Sequence, residues 1–143
     1  MAITSAICNS FKQEILEAEH NFTASTGDTF NLALYDSDAV LSKSTTAYTT
    51  SEELATTGGY TAKGKALTSV TPVLDSDTAV CDFANISWTS ASFTARGCLI
   101  FNDDNSDTSV CAIDFGGDKT VTSGTFTVEF PAAAASTAII QLA

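Results

Sequence analysis

Basic residues are scarce in this sequence, and the few present do not cluster. The 143-residue chain has six lysines and arginines against seventeen aspartates and glutamates, a formal net charge of −11. Binding to nucleic acid or to an anionic membrane requires a stripe of basic side chains, and the sequence contains none. We therefore expect neither as a partner, and we expect any partner surface to be neutral or basic at the contact.

Long apolar runs are also missing. The longest cover only a few residues, too few to cross a bilayer, while an apolar content of 44% is too high for a disordered chain. No basic-then-apolar secretory signal opens the sequence, because charged residues begin soon after the start, at Lys12 and Glu14. We expect a single globular domain over residues 1–143 that folds in the cytoplasm.

Histidine occurs once, as His20, so it is the only candidate base for the usual Ser-His-Asp and Cys-His mechanisms. We predict a structural role for His20 at the end of a helix, where the dipole stabilises a cation. The four cysteines lack C-x-x-C spacing and fit neither a zinc site nor a small disulfide scaffold. Three of them lie in apolar strand patterns and are predicted to be buried thiols: Cys81, Cys98 and Cys111.

Paired carboxylates offer another route to catalysis. Asp114 and Glu129 fall inside predicted strands, and both alternate with apolar neighbours as outward-facing residues do. Many other carboxylates cluster in polar turns, where solvent keeps their acidity ordinary. We therefore predict a protein that is not an enzyme, with no catalytic residues and no cofactor. A hydrolase that uses Asp114 and Glu129 is the competing hypothesis.

An oxygen-rich loop is the best candidate for a metal site. Asp103, Asn105 and Asp107 have the alternating spacing of a calcium-binding loop. The match weakens at Thr108, where that loop requires glycine, and strands replace the flanking helices. We predict a solvated hairpin tip, with a weak calcium site as the alternative.

One stretch near the start has helical periodicity. It predicts a helix over residues 5–20, with Thr4 or Ser5 as the N-cap. Its apolar positions recur every three or four residues: Ile7, Phe11, Ile15, Ala18 and Phe22.

Period-two alternation replaces the helical pattern from residue 29 onward. Phe30 begins the first strand, residues 36–65 form a long, polar surface excursion, and Gly116 to Asp118 form a hairpin turn. Short, evenly spaced strands predict a mainly β fold, a β-sandwich or jelly-roll-like domain with one N-terminal α-helix; a small barrel has the same spacing. The later strands are expected at 67–74, 78–83, 86–88, 92–95, 98–102, 110–115, 124–130 and 138–142.

Several segments resemble a group of small virion proteins of tailed bacteriophages. They include ICNSFKQE at 7–14, TGDTFNLALY at 26–35, STTAY at 44–48 and DFGGDK at 114–119, followed by the ending from Phe130 onward. None is a catalytic motif, so the specificity lies in the number and order of the matches, which cover nearly the whole chain.

This resemblance implies a non-catalytic structural protein of the phage particle. The nearest functional type is a capsid cement or decoration protein, a dimer or trimer on the capsid surface that bridges copies of the major capsid protein or other virion proteins. We predict partner contacts by Phe11 and Ile15 on the helix and by Tyr48 and Tyr60 in the excursion, because aromatic anchors dominate interface energetics. A tail or host-recognition component that binds a glycan is the alternative.

Overall fold

The computed structural model describes residues 2–143 and is built mainly of strands. Strands cover 48% of the chain and helix 6%, which confirms the predicted mainly β class. In chain order the elements are β1 (Ala6–Ile7), α1 (Asn9–Leu16), β2 (Phe30–Tyr35), β3 (Lys65–Ala66), β4 (Ser69–Asp75), β5 (Thr78–Phe83), β6 (Ile86–Asn102), β7 (Thr108–Val128) and β8 (Ile140–Leu142).

The strands form two antiparallel sheets. The large sheet has the order β1-β7-β6-β2-β3, and the small sheet has the order β4-β5-β8. One core joins them, with Phe30 and Leu32 contributed by the large sheet and Phe83 and Ile140 by the small one. Within residues 2–143, no helix is long and apolar enough to span a membrane.

A second core lies on the opposite face of the large sheet. Ala33 and Tyr35 of β2 point away from the first core and are fully buried. The cover comes from segment 36–65, which brings Leu41 onto this face. The prediction that 36–65 is a surface excursion is therefore wrong in part: its backbone is irregular, but the segment closes a core. The close fit requires Gly64, whose φ is 69° and where any Cβ would collide with the carbonyl oxygen of Leu32.

The N-terminal helix is shorter than the predicted 5–20. Ala6 and Ile7 pair with β7 instead, and the helix begins after Cys8, whose side chain makes no capping hydrogen bond. Ala18 has a φ of 60°, a left-handed conformation that ends the helix one turn early. The apolar spacing correctly predicted that Phe11 is buried. At the start of the predicted helix, however, strand pairing with a distant segment overrode helical propensity.

The strands predicted at 86–88, 92–95 and 98–102 are a single strand, β6, and those at 110–115 and 124–130 merge into β7. Bulges absorb the residues that resembled turns: the β6–β7 register shifts at four places along the hairpin. Positive φ values at Ser90 and Ser123 mark two of these irregularities. The turn predicted at Gly116 to Asp118 is likewise wrong, because these residues lie within β7 beside the register shift around Arg96.

Candidate functional site

His20 lies in a buried polar cluster just after α1. Its Nε2 is 2.7 Å from Oε2 of Glu14, and its Nδ1 is 3.1 Å from the side-chain nitrogen of Asn102. Because an amide nitrogen only donates, Nδ1 accepts and Nε2 carries the hydrogen directed at Glu14. His20 is held by these side-chain partners and not, as predicted, by the end of a helix.

The two predicted contact residues on the helix are not equivalent. Phe11 is buried, with its ring centroid 5.0 Å from that of His20 and 5.9 Å from that of Phe22. Phe11 therefore belongs to the interior and offers no free anchor to a partner. Ile15 is partly exposed and lines a small apolar crevice against the small sheet.

The two predicted contact tyrosines converge on one carboxylate instead of facing outward. Tyr60 is buried, and its hydroxyl donates to Oε1 of Glu53 at 2.6 Å while accepting from the amide of Leu34. The Tyr48 hydroxyl donates to Oε2 of Glu53, and its ring packs 4.9 Å from that of Phe101. Through these contacts the two tyrosines hold segment 36–65 on the sheet.

Both hydroxyls remain protonated donors at neutral pH. Burial, followed by the hydrogen bond to Glu53, raises the pKa of Tyr48 to about 12, and the same two causes raise the pKa of Tyr60 further. Glu53 also accepts from the amide of Lys63 at 2.6 Å. Sequence reasoning missed Glu53 because nothing in its polar surroundings distinguishes it from a solvated carboxylate.

The candidate calcium residues are bound to other side chains and to the backbone of the protein. Lys63 Nζ lies 2.7 Å from a carboxylate oxygen of Asp103 and 3.0 Å from one of Asp107. The Asn105 side chain donates to the carbonyl oxygen of Glu19 at 2.9 Å. The hairpin tip is confirmed, and its two aspartates are both paired with the ammonium group of Lys63.

A different group of carboxylates does converge. The side chains of Asp36, Asp38 and Glu52 place oxygens within 4.8 Å of one another. They meet because Glu53 forms an isolated bridge with Tyr35, which brings two distant turns together. Carboxylate oxygens are the ligands that hard divalent cations prefer, so these three are the residues that could hold one.

The hypothetical hydrolase carboxylates have different environments. Asp114 Oδ1 is 2.9 Å from Arg96 Nε, and this hydrogen bond holds the pKa of Asp114 below its usual value, while Glu129 is exposed. The buried carboxylate is Asp82, whose pKa is raised by burial and whose oxygens accept from the amides of Phe83 and Ile139. An ion-paired Asp114 is an anion under physiological conditions, so it is suited to anchoring Arg96 and not to donating a proton.

The thiols and the tryptophan belong to the interior. All four cysteines are free and buried, which confirms the prediction for Cys81, Cys98 and Cys111 and adds Cys8. Burial raises their pKa values, that of Cys81 to about 12, so the reactive thiolate is rare. Trp88 is also buried, so its ring is not available on the surface.

Several large apolar side chains are exposed on the surface. Leu16 is 88% exposed, Leu74 75% and Leu142 54%. A separate open groove of about 620 Å³ runs beside the second half of β7, and its apolar lining includes Ile113, Phe115, Phe126, Val128, Phe130 and Ile139. Alternating patterns predict which strand faces are apolar, but not where the opposing layer stops covering them.

No family model, no curated protein and no solved structure matches this chain.

Proposed function

We propose that this chain is a non-catalytic structural protein of a tailed-phage particle, a capsid cement or decoration protein that bridges capsid subunits. The single observation that carries the proposal is the exposure of large aliphatic side chains on an ordered domain of charge −11. Isolated globular domains seldom leave several such side chains exposed in one region, and their burial is the usual purpose of an assembly surface.

The hydrogen bonds already made by the buried and half-buried polar side chains support the same proposal. His20 is tied to Glu14 and Asn102, Glu53 to two tyrosine hydroxyls, and Asp114 to Arg96. Each stabilises the domain, which suits a protein whose task is to hold its shape under load. The resemblance to virion proteins, whose segments match in the same order, is the reason for proposing a phage particle. On that basis the chain would be a dimer or trimer on the capsid surface, with the major capsid protein or other virion proteins as partners.

The test uses phage heads that lack the protein. Purified chain is added to such heads, and binding is measured by cosedimentation, followed by release of DNA on heating. Saturable binding in multiples of the shell symmetry, with release at a higher temperature, is the expected result. If the chain stays in the supernatant at every concentration, the cement proposal is wrong.

A glycan array tests the alternative, a tail or host-recognition component. Four aromatic rings are candidates for stacking on a sugar, but Trp88, Tyr35 and Tyr60 are buried, and the partly buried ring of Tyr48 packs 4.9 Å from that of Phe101. We therefore expect no array signal above that of the denatured chain. A reproducible glycan signal would favour the recognition role over the capsid role.

A further inference from the structure

The exposed leucines of the small sheet lie on one surface. In the register of this sheet, Leu74 is directly opposite Ala79, and Ala79 is directly opposite Leu142. Residues directly opposite one another point to the same face, and this is the face whose continuation, Cys81 and Ile140, enters the main core. The core-facing side of the small sheet therefore continues into solvent beyond the large sheet.

The end of α1 borders this exposed strip. A crevice of about 80 Å³ lies between Ile15 on the helix and Pro72, Ala79 and Leu142 on the sheet. We call the surface made by these five positions the leucine patch: Ile15, Pro72, Leu74, Ala79 and Leu142.

The charged residues beside the leucine patch are acidic, and the one cation of α1, Lys12, lies in the first half of the helix with its ammonium 3.2 Å from Oδ1 of Asn9. Glu14 and Glu17 lie at the end of α1, and Asp75 and Asp77 lie at the turn between β4 and β5. No lysine or arginine occurs between Lys12 and Lys43, between Lys65 and Arg96, or after Lys119. An apolar centre with an anionic rim is complementary to an apolar segment flanked by cations.

We propose that the leucine patch is a docking surface for a protein segment with aliphatic side chains flanked by lysine or arginine. A second copy of the chain is the wrong occupant, because it would bring a second acidic rim against the first. An anionic lipid surface is repelled for the same reason. This inference rests on the proposed function, since it identifies the face through which the chain contacts a capsid or other virion protein.

The first experiment uses a defined probe, an acetylated Lys-Leu-Ser-Leu-Lys pentapeptide amide titrated into the isotopically labelled chain and followed by NMR. Chemical-shift changes are expected at the end of α1, the tip of the β4–β5 hairpin and β8. Two matched peptides provide controls, one with serine for leucine at unchanged charge and one with glutamate for lysine. Each should bind about ten-fold more weakly, since each loses either the apolar or the ionic contribution.

Variants of the chain complete this test. Leu74→Ser combined with Leu142→Ser removes apolar area without changing charge, and Val40→Ser is the matched control because Val40 is 62% exposed on segment 36–65. We expect the double variant to bind the peptide about ten-fold more weakly and the control to bind as the wild type does. Shift changes centred on the groove beside β7, or equal binding by the folded double variant, would overturn the inference.

The same variants separate this inference from the proposed function. If wild type and double variant bind phage heads equally, the leucine patch is not the docking surface, while the cement role stands. If wild type does not bind heads but binds the peptide at the leucine patch, the cement role is wrong and the docking surface stands. If the wild type binds heads and the double variant does not, the result supports both the cement role and the docking surface.

Discussion

The two sheets differ in an unexpected way. On the outer face of the large sheet, an irregular segment, 36–65, is held so closely that Leu41 is almost completely buried. On the small sheet, two regular strands, β4 and β8, leave Leu74 and Leu142 in solvent. Regular backbone is therefore no guide to burial in this molecule. Irregular backbone can enclose a core if side chains satisfy its polar groups, and a strand can remain exposed if nothing covers it.

The largest expected effect comes from the carboxylate that holds segment 36–65. Glu53→Ala removes the acceptor for the hydroxyls of Tyr48 and Tyr60 and for the amide of Lys63. Leaving these donors without a partner should lower the free energy of unfolding by about 4 kcal/mol. Urea denaturation measures the change, and Glu52→Ala, a neighbouring exposed carboxylate, should stay within about 0.5 kcal/mol of the wild type. Equal effects at the two positions would contradict the anchoring role.

A slightly smaller effect is expected in the second core. Leu41 is 1% exposed, whereas its neighbour Val40 is 62% exposed. Leu41→Ala should cost about 3 kcal/mol through lost burial and the remaining cavity. Val40→Ala should cost less than about 0.5 kcal/mol. Thermal unfolding of the pair measures the difference, and similar melting temperatures would mean that the segment does not close a core in solution.

The ion pairs at the hairpin tip should contribute far less. Lys63 contacts Asp103 and Asp107 with its side chain 43% exposed, so Lys63→Ala should cost about 0.5 kcal/mol, and less in concentrated salt. The substitution also frees both carboxylates. Calcium chloride should therefore raise the melting temperature of the variant more than that of the wild type. A larger shift in the wild type would restore the calcium-loop hypothesis.

The smallest expected effect is the change in stability with pH. Its sign is opposite for a carboxylate on the small sheet and one on the large sheet. Asp82 has a pKa above its ordinary value of 3.8, so its contribution to stability is present at low pH and lost as pH rises through the folded value. Asp114 has a pKa below 3.8, so its contribution is present above that pH and lost as pH falls through the folded value.

Asparagine variants test these signs. The difference in unfolding free energy between Asp82→Asn and the wild type should move in favour of the variant as pH rises from about 3 to 7. The corresponding difference for Asp114→Asn should move in favour of the wild type over the same range. Urea denaturation at several pH values measures both, and slopes of the same sign would show that one of the two environments is wrongly described.

The sequence predicted local secondary structure and buried positions well, but it predicted contacts between distant segments poorly. The alternation at Phe30 to Tyr35 and the spacing that buries Phe11 were correct, because both depend on nearest neighbours along the chain. The start of the helix was wrong because Ala6 pairs with Ala112, a contact that local propensity cannot reveal. The merged β6 and β7 were missed because bulges permit polar and glycine residues that normally indicate turns.

The candidate site was predicted less well than the fold, for a related reason. Tyr48 and Tyr60 were expected outside because their surroundings are polar, yet Glu53 makes their burial favourable by accepting from both hydroxyls. The leucine patch was missed because its strands have the composition of covered strands. Whether a layer covers them depends on the length of the opposing layer, which no local pattern specifies.

The pairing of Ala6 with Ala112 also has a consequence for synthesis. After the first strand leaves the ribosome, roughly 100 more residues must follow before its partner exists, about 5–20 s at bacterial and eukaryotic elongation rates. During that interval the amino-terminal segment cannot take its final place in the sheet. A neighbouring nascent chain, or a chaperone, has that long to engage it, so the yield of folded protein should depend on how fast the message is translated.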